Sequence, residues 1–307
     1  MNRYYKLSHY WKDIFHNRVQ KIPLDAGFNC PNRDGTLSRR GCIFCNPQGS
    51  GSGLMQSQGM SLREQYLLWR EKMGAKYKSR FFAGYLQSYS NTYGPVEKLD
   101  RTLDELRHLP DLKVLSLGTR PDCLDSQKAD LLASFPAREI WLELGLQSSR
   151  DRTLELINRG HSSEDFALAC NKAARHGINV CAHVIAGLPG EELQDFLSTI
   201  DFINQLPVRG IKIHNLYICS QTILHEWWKQ GFYTPLSLEV YAHWSALALA
   251  RLRRDIVVHR LTGDPWGDEL VAPDWCRDKN AVLQKIQTHM QDQELTQGQH
   301  CPIPPRY

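Results

Sequence analysis

Cys30, Cys42 and Cys45 stand within sixteen residues of one another, in a stretch that runs Phe28-Asn29-Cys30-Pro31-Asn32-Arg33-Asp34-Gly35 and on to Gly41-Cys42-Ile43-Phe44-Cys45. The segment is crowded with turn formers, so it can fold three thiolates onto one centre. Structural zinc takes four ligands, commonly from two Cys-x-x-Cys pairs, and Cys42–Cys45 is the one such pair in the chain. Three thiolates leave a coordination position open. On a four-iron, four-sulfur cluster that would free one iron for another ligand, which implies chemistry rather than scaffolding. Two other readings stand beside this one: zinc completed by His16 or Cys123, and thiols that merely pack.

A second group of chemically able residues lies further on. Lys212 and His214 are two apart in a β-like run and share a face, and His183 sits in the preceding run. An ammonium turned inward needs a partner; turned outward, Lys212 would snorkel to solvent. Glu143, set among apolar residues, is costly there unless it is paired, and a carboxylate in such a place can accept hydrogen bonds from sugar hydroxyls. Cys123, Cys170, Cys181, Cys219 and Cys276 form no second tight cluster and read as small core residues, so no auxiliary cluster is expected; Cys301 falls near the end.

The elements that must carry these residues alternate in type. Runs rich in β-branched and aromatic residues recur near 20–25, 81–86, 112–117, 139–144, 178–186 and 210–218. Between them apolar residues take helical spacing, as in Val96, Leu99, Leu103 and Leu106. Strand, loop and helix in repetition predict an α/β fold, a parallel sheet with outer helices, either a six-unit partial barrel or an open doubly wound sheet. Gly118, Gly145 and Gly187 mark strand ends, the edge where ligands bind in both architectures. Residues 1–235 make one unit on this pattern. Residues 236–307 read as a C-terminal α/β extension, with a strand at 256–259, a turn at 262–265, a helix near 278–290 and a poorly ordered tail. Residues 47–53 read as a flexible loop.

The 307 residues are 42 % hydrophobic and 10 % aromatic, which excludes disorder over most of the length. With no signal-like start and no apolar run of about eighteen residues, a soluble, cytoplasmic protein is expected. Nine cysteines, an odd count unevenly spaced, argue against a disulfide framework. A net charge of +4 permits an anionic partner without demanding one.

The three-cysteine loop followed by about five β/α units resembles the radical SAM superfamily, most of all the branch that contains the Elongator catalytic subunit. Within that branch it is similar to a group of small bacterial proteins of about this length, whose endings resemble 261–265 and 271–276 here. Eleven residues separate Cys30 from Cys42, a longer gap than most of the superfamily has but one shared by this branch. The resemblance implies a partial (β/α)6 TIM-like barrel with a C-terminal extension. It implies a 4Fe-4S cluster on Cys30, Cys42 and Cys45, with S-adenosyl-L-methionine chelating the open iron and cleaved by one electron to a 5′-deoxyadenosyl radical. Phe44 would lie against the adenine, Gln87, Ser88 and Asn91 would contact the methionine moiety, and Gly187 and Leu188 would lie on the adenine side. Glu143 and Gln147 belong to a stretch, 143–148, similar to a signature of the Elongator-like and coproporphyrinogen-oxidase-like branches, with Glu143 toward the ribose. Lys212, His214 and His183 are the candidate catalytic residues on the substrate side.

The same resemblance implies tRNA as substrate, at the C5 substituent of the wobble uridine. It also implies a reductase or electron donor such as flavodoxin or ferredoxin, and no membrane. The chain is expected to end too early for the acetyltransferase domain of the Elongator subunit. A small-molecule substrate, or a zinc- or cluster-stabilised binding module, are the alternatives. Residues 1–22 interleave Arg3, Lys6, Lys12, Arg18 and Lys21 with Tyr4, Tyr5, Tyr10, Trp11 and Phe15. That pattern suits a phosphate backbone and exposed bases, and equally an amphipathic helix packed on the barrel. Arg39-Arg40 and Arg251, Arg253 and Arg254 are further candidate backbone contacts.

Overall fold

The computed structural model describes residues 3–47, 49, 59–263, 265 and 269–304. Most of the loop expected at 47–53, Asp264 of the expected turn and the last three residues lie outside this set. In chain order the elements are α1 (Leu7–Phe15), β1 (Val19–Leu24), α2 (Leu62–Tyr77), β2 (Phe81–Leu86), α3 (Val96–Arg107) and β3 (Leu112–Thr119). Then come α4 (Ser126–Ala133), β4 (Glu139–Gln147), α5 (Asp151–Leu156), α6 (Ser163–Arg175), β5 (Asn179–Ala186), α7 (Leu193–Gln205) and β6 (Gly210–Asn215). The chain continues through β7 (Ile218–Cys219), α8 (Ile223–Lys229), α9 (Leu238–Arg251), β8 (Val257–Arg260), β9 (Leu270–Ala272) and α10 (Lys279–Asp292).

The main sheet is parallel, in the order β1-β2-β3-β4-β5-β6-β8, and curls into a half-barrel with helices outside. β7 and β9 form a separate antiparallel pair. β8 falls within the stretch set apart above as an extension, yet it continues the sheet as a seventh strand, and α9 packs against α7 and α10. On the far side of β8, Lys6 bridges Val258 in parallel fashion. Among the described residues no helix is long and apolar enough to cross a membrane.

Alternation along each strand divides the molecule into layers. Leu142, Leu144, Val180, Ala182, Ile211 and Ile213 face outward into the helices, where they meet Phe166, Phe196 and Ile200. The inward side of the same strands is graded. At the end where the strands begin it is apolar: Val19, Ala83, Val114, Trp141, Cys181 and Val257 pack against Leu7, Tyr10, Trp11 and Phe15 of α1. The apolar residues of α1 recur at helical spacing, so one stripe of a short helix plugs the barrel end. Of the two readings of residues 1–22, this is the amphipathic helix packed on the barrel. Tyr10, Trp11 and Phe15 are buried in that plug and cannot stack on bases.

Arg251 and Arg253 are likewise committed internally. Arg251 forms a bidentate pair with Asp201, and buried Arg253 donates to the carbonyls of Asn204, Leu206 and Val208 and pairs with Asp255. Arg39, Arg40 and Arg254 remain exposed.

Candidate active site

The loop after β1 folds over the carboxyl ends of the strands. Cross-links from the chain after α5 hold it there: Asn32 Nδ2 donates to the Asn158 carbonyl at 2.6 Å, and Asn158 Nδ2 donates to the Gly41 carbonyl at 2.6 Å. The Ile43 amide donates to Ile157, and the Ile43 side chain packs with Leu154, Ile157, Ile185, Leu188 and Leu216. Arg33 Nη2 clamps the loop on itself through the carbonyls of Cys45 (2.6 Å) and Asn46 (2.5 Å).

Cys30, Cys42 and Cys45 line one cavity of about 240 Å³. Among the described residues, no three His, Cys, Asp or Glu side chains converge as ligands of a single ion. Thiolates that each take a different iron of a cluster need no such convergence. Burial raises the pKa of Cys30, against the pull of Arg120 and Arg159, and burial with the other thiols raises that of Cys45, against Arg33. A cationic centre between the thiols is what would let them ionise together. Cationic side chains already surround them. Cys42 Sγ accepts from Asn32 Nδ2 and from Arg159 Nη1, each at 3.6 Å. Arg120, buried and paired with Asp122, donates to the carbonyls of Arg159 and Gly160. The donor set, its burial and its positive surroundings fit an anionic cluster.

Gly145 explains how Arg159 reaches the sulfur. Arg159 Nη2 donates to the Gly145 carbonyl at 2.7 Å, and a Cβ at Gly145 would lie 2.4 Å from that nitrogen. The glycine makes room for the guanidinium against the strand end.

Beneath the thiols the barrel interior is polar, supplied by side chains of several strands. Glu143 of β4 is fully enclosed and accepts from Lys21 Nζ of β1 (2.9 Å), His183 Nε2 of β5 (3.0 Å) and Lys212 Nζ of β6. His259 Nδ1 of β8 lies 3.9 Å from the same carboxylate. Lys212 also donates to the Tyr85 hydroxyl of β2 at 3.2 Å, and His183 stacks on His214 with ring centroids 5.4 Å apart. The register places these side chains together, with Gly145 beside His183 and His183 beside Lys212. Burial alone would raise the Glu143 pKa, but Lys21 and Lys212, with His183, hold it well below the ordinary carboxylate range. Burial lowers Lys212 to about 8, with Glu143 opposing, and lowers His183 to about 4, so both imidazole and carboxylate hold single states near neutral pH.

Of the residues expected from sequence, Cys30, Cys42, Cys45, Phe44, Gln87, Glu143, Gln147, His183, Lys212 and His214 all line the cavity. Ser88, Asn91, Gly187 and Leu188 do not. Asn91 is buried and its Nδ2 donates to the carbonyls of Leu86, Ser88 and Gly118, tying the end of β2 to β3. Ser88 is buried behind it. The Gly187 carbonyl accepts from the Tyr233 hydroxyl, and Leu188 packs in the apolar cluster under the cysteine loop. Glu143 has both oxygens taken by neighbours in the chain, which leaves little of it for a ribose. Sequence reasoning passed over Arg33, Arg120, Arg159 and Tyr85, and placed Lys21 among the candidate nucleic-acid contacts rather than in the barrel interior. A signal existed for Arg120, a charged residue directly after the third strand, behind Gly118-Thr119.

Comparison with known proteins settles the family. The sequence model of the radical SAM superfamily matches residues 35–203, and that of the Radical SAM C-terminal domain matches 208–292. The chain belongs to the radical SAM superfamily. It is 35 % identical over 297 residues to the uncharacterized protein YtqA of Bacillus subtilis, covering 96 % of this chain and 92 % of that one. A tRNA uridine(34) acetyltransferase of Dehalococcoides mccartyi is 32 % identical over 39 % of this chain and 27 % of its own length. The fold is similar to that of an archaeal Elp3 from Methanocaldococcus infernus, with a TM-score of 0.68 at 18 % identity, over 91 % of this chain and 64 % of that one. As a radical SAM enzyme the protein uses a 4Fe-4S cluster and S-adenosylmethionine.

Proposed function

We propose that Cys30, Cys42 and Cys45 hold the cluster, and that the enzyme reductively cleaves S-adenosylmethionine there to modify the C5 substituent of the wobble uridine in tRNA. The observation that carries the cofactor half is the shared cavity, in which three thiols face Glu143, His183, Lys212 and His214. When bound, the cluster supplies an electron and the cofactor supplies a 5′-deoxyadenosyl radical. The chain's own residues do the rest. Arg159 and Asn32 direct N–H groups at the Cys42 sulfur, and Phe44, Gln87 and Gln147 furnish wall for the adenosyl and methionine parts. The apolar plug of α1 packs against the strand-start end of the barrel. The tRNA half is supported by the partial similarity to the D. mccartyi acetyltransferase and by exposed Arg39 and Arg40 beside the cavity. A flavodoxin or ferredoxin is the proposed reductant.

A second reading, a small-molecule substrate, draws support from the burial of Tyr10, Trp11 and Phe15, which removes three of the aromatic rings on which RNA bases would stack. Anaerobic reconstitution should load about four irons per chain and yield 5′-deoxyadenosine from S-adenosylmethionine under reduction. Cys42→Ala should reduce that cleavage to background; retained activity would overturn the ligand assignment. Comparison of modified nucleosides in bulk tRNA with and without the gene decides between the substrates, and an unchanged profile favours the small molecule.

A further inference from the structure

We propose that Glu269 is a positioning residue for the cluster: reaching in from the C-terminal part of the chain, its carboxylate fixes Cys45, the third thiolate, through the side chain of Asn46. Glu269 has this role only if Cys45 is a ligand, as read above.

Cys45 is the last thiol of its loop, and the residue after it is held from two directions. The Asn46 carbonyl accepts from Arg33 Nη2 at 2.5 Å and from the Gly49 amide at 3.1 Å, both bonds within the loop. Asn46 Nδ2 donates to Glu269 Oε2 at 2.5 Å, across 223 positions of sequence. A bond within a loop moves with the loop, whereas a bond to a separate rigid element fixes the loop in the frame of the barrel. The chain after α5 ties the loop up to Ile43, and the Tyr89 hydroxyl ties it again at the Pro47 carbonyl. Between those ties Glu269 holds the residue bonded to Cys45.

Glu269 is itself presented rigidly. Its carbonyl accepts from the Ser220 amide at 2.9 Å, and the next residue, Leu270, opens β9 opposite Cys219 of β7. Arg277 Nη2 donates to the Leu270 carbonyl at 3.0 Å. Asn215, at the end of β6, binds the chain on both sides of Glu269: its Oδ1 accepts from the Gly263 amide at 2.7 Å, and its Nδ2 donates to Cys276 Sγ at 2.8 Å. The carboxylate is therefore carried by a strand pair pinned to the barrel end.

The sign of its charge separates position from field. Arg33, Arg120 and Arg159 suit an anionic cluster, but a carboxylate nearby disfavours the electron that the cluster takes up. Glu269 is close enough to act: after burial, Glu269 and Cys45 both raise the pKa of the Cys219 thiol. The compensating gain is a charge-assisted hydrogen bond, stronger than a neutral one and so better able to hold the backbone beside a ligand. Glu269→Gln keeps an acceptor and removes the charge, while Glu269→Ala removes both.

The test uses the full-length protein reconstituted anaerobically with iron and sulfide, and follows iron release to a ferrous chelator together with the cluster potential by redox titration. Glu269→Ala should release iron about tenfold faster than the unaltered chain. Asn46→Ala should match it, and the two combined should be no faster than either, because each removes the same bond. Glu269→Gln should hold iron within about twofold of the unaltered chain, with the potential shifted upward. Asn46→Asp sets two carboxylates against each other and should lose iron fastest; adding Glu269→Gln to it should restore retention by rebuilding the bond in the reverse direction. That rescue separates positioning from a damaged fold, which a second substitution would not repair. Iron held as firmly in Glu269→Ala as in the unaltered chain, additive losses in the combined Ala variant, or no rescue would overturn the proposal. So would an unmoved potential in Glu269→Gln, which would place the carboxylate too far from Cys45 to hold it. Failure of the unaltered chain to load about four irons would instead remove the ligand reading; normal loading with Glu269→Ala unaffected removes this inference alone.

Discussion

The guanidinium of Arg159 joins a strand end to the proposed cluster ligand Cys42, with Nη2 on the Gly145 carbonyl and Nη1 on Cys42 Sγ. A positive donor on a cluster sulfur stabilises the reduced, more negative state, so its removal should make reduction harder. Arg159→Met is therefore expected to lower the cluster potential by on the order of 50 mV with the iron content unchanged, as followed by anaerobic redox titration. An unchanged potential would leave Arg159 as a clamp for the loop only. The cysteines themselves were legible because three of them crowd one turn-rich segment. Lys212 and His214 were legible as a pair because strand alternation fixes a shared face. Arg159 was not, since its partners are a backbone oxygen and a sulfur 117 positions away, and neither leaves a mark in the sequence beside it. Tyr85 was hidden because it is the single polar residue of β2, and Lys21 because it reads as one more basic residue of the N-terminal stretch; only the register of the sheet gathers them around Glu143.

At the scale of elements, α1 shows how one composition supports two readings that packing separates. Its aromatic and basic residues alternate as a nucleic-acid surface would, but the aromatics recur at helical spacing and the barrel end offers an apolar seat for them. Trp11, 4 % exposed, should cost about 3 kcal/mol when replaced by Ala, measured by urea unfolding, with iron loading retained in the folded fraction. A loss below about 1 kcal/mol would mean that α1 docks loosely. Gly210 tests the layer above. It opens β6 where a Cβ would meet His259 Nε2 at 2.7 Å and Trp141 Cζ3 at 2.8 Å, so Gly210→Ala should destabilise by about 1–3 kcal/mol through overpacking. The strand and helix alternation up to residue 230 was readable because each unit carries its own periodicity. The role of β8 was not, because a short strand after a long helix looks the same whether it joins the main sheet or stands apart, and only its pairing with β6 decides.

Across the whole molecule the interior polar layer ties stability to pH. His161 and His259 are pushed by burial to about 3 and His183 to about 4, and burial holds His214 well below its ordinary value. These rings stay neutral in the folded chain while the unfolded chain takes up protons near pH 6.5. The unfolded state then binds more protons, so stability rises with pH and is lost as pH falls below about 6.5, each ring contributing up to about 1.4 kcal/mol per pH unit. Buried thiols set the other limit. Cys123 is raised by burial to about 11, and Cys219 and Cys276 to about 12, so above the ordinary thiol range near pH 8.5 the unfolded chain ionises first and stability falls again. Urea midpoints measured from pH 5 to pH 10 should therefore trace a plateau between roughly 6.5 and 8.5 with a steep acid limb. His161→Gln, replacing a ring whose Nε2 meets the Gly145 carbonyl, should shallow the acid limb by one proton's worth while leaving the alkaline limb in place. An acid limb of undiminished slope in that variant would mean that the carboxylates, Glu143 foremost, dominate acid unfolding.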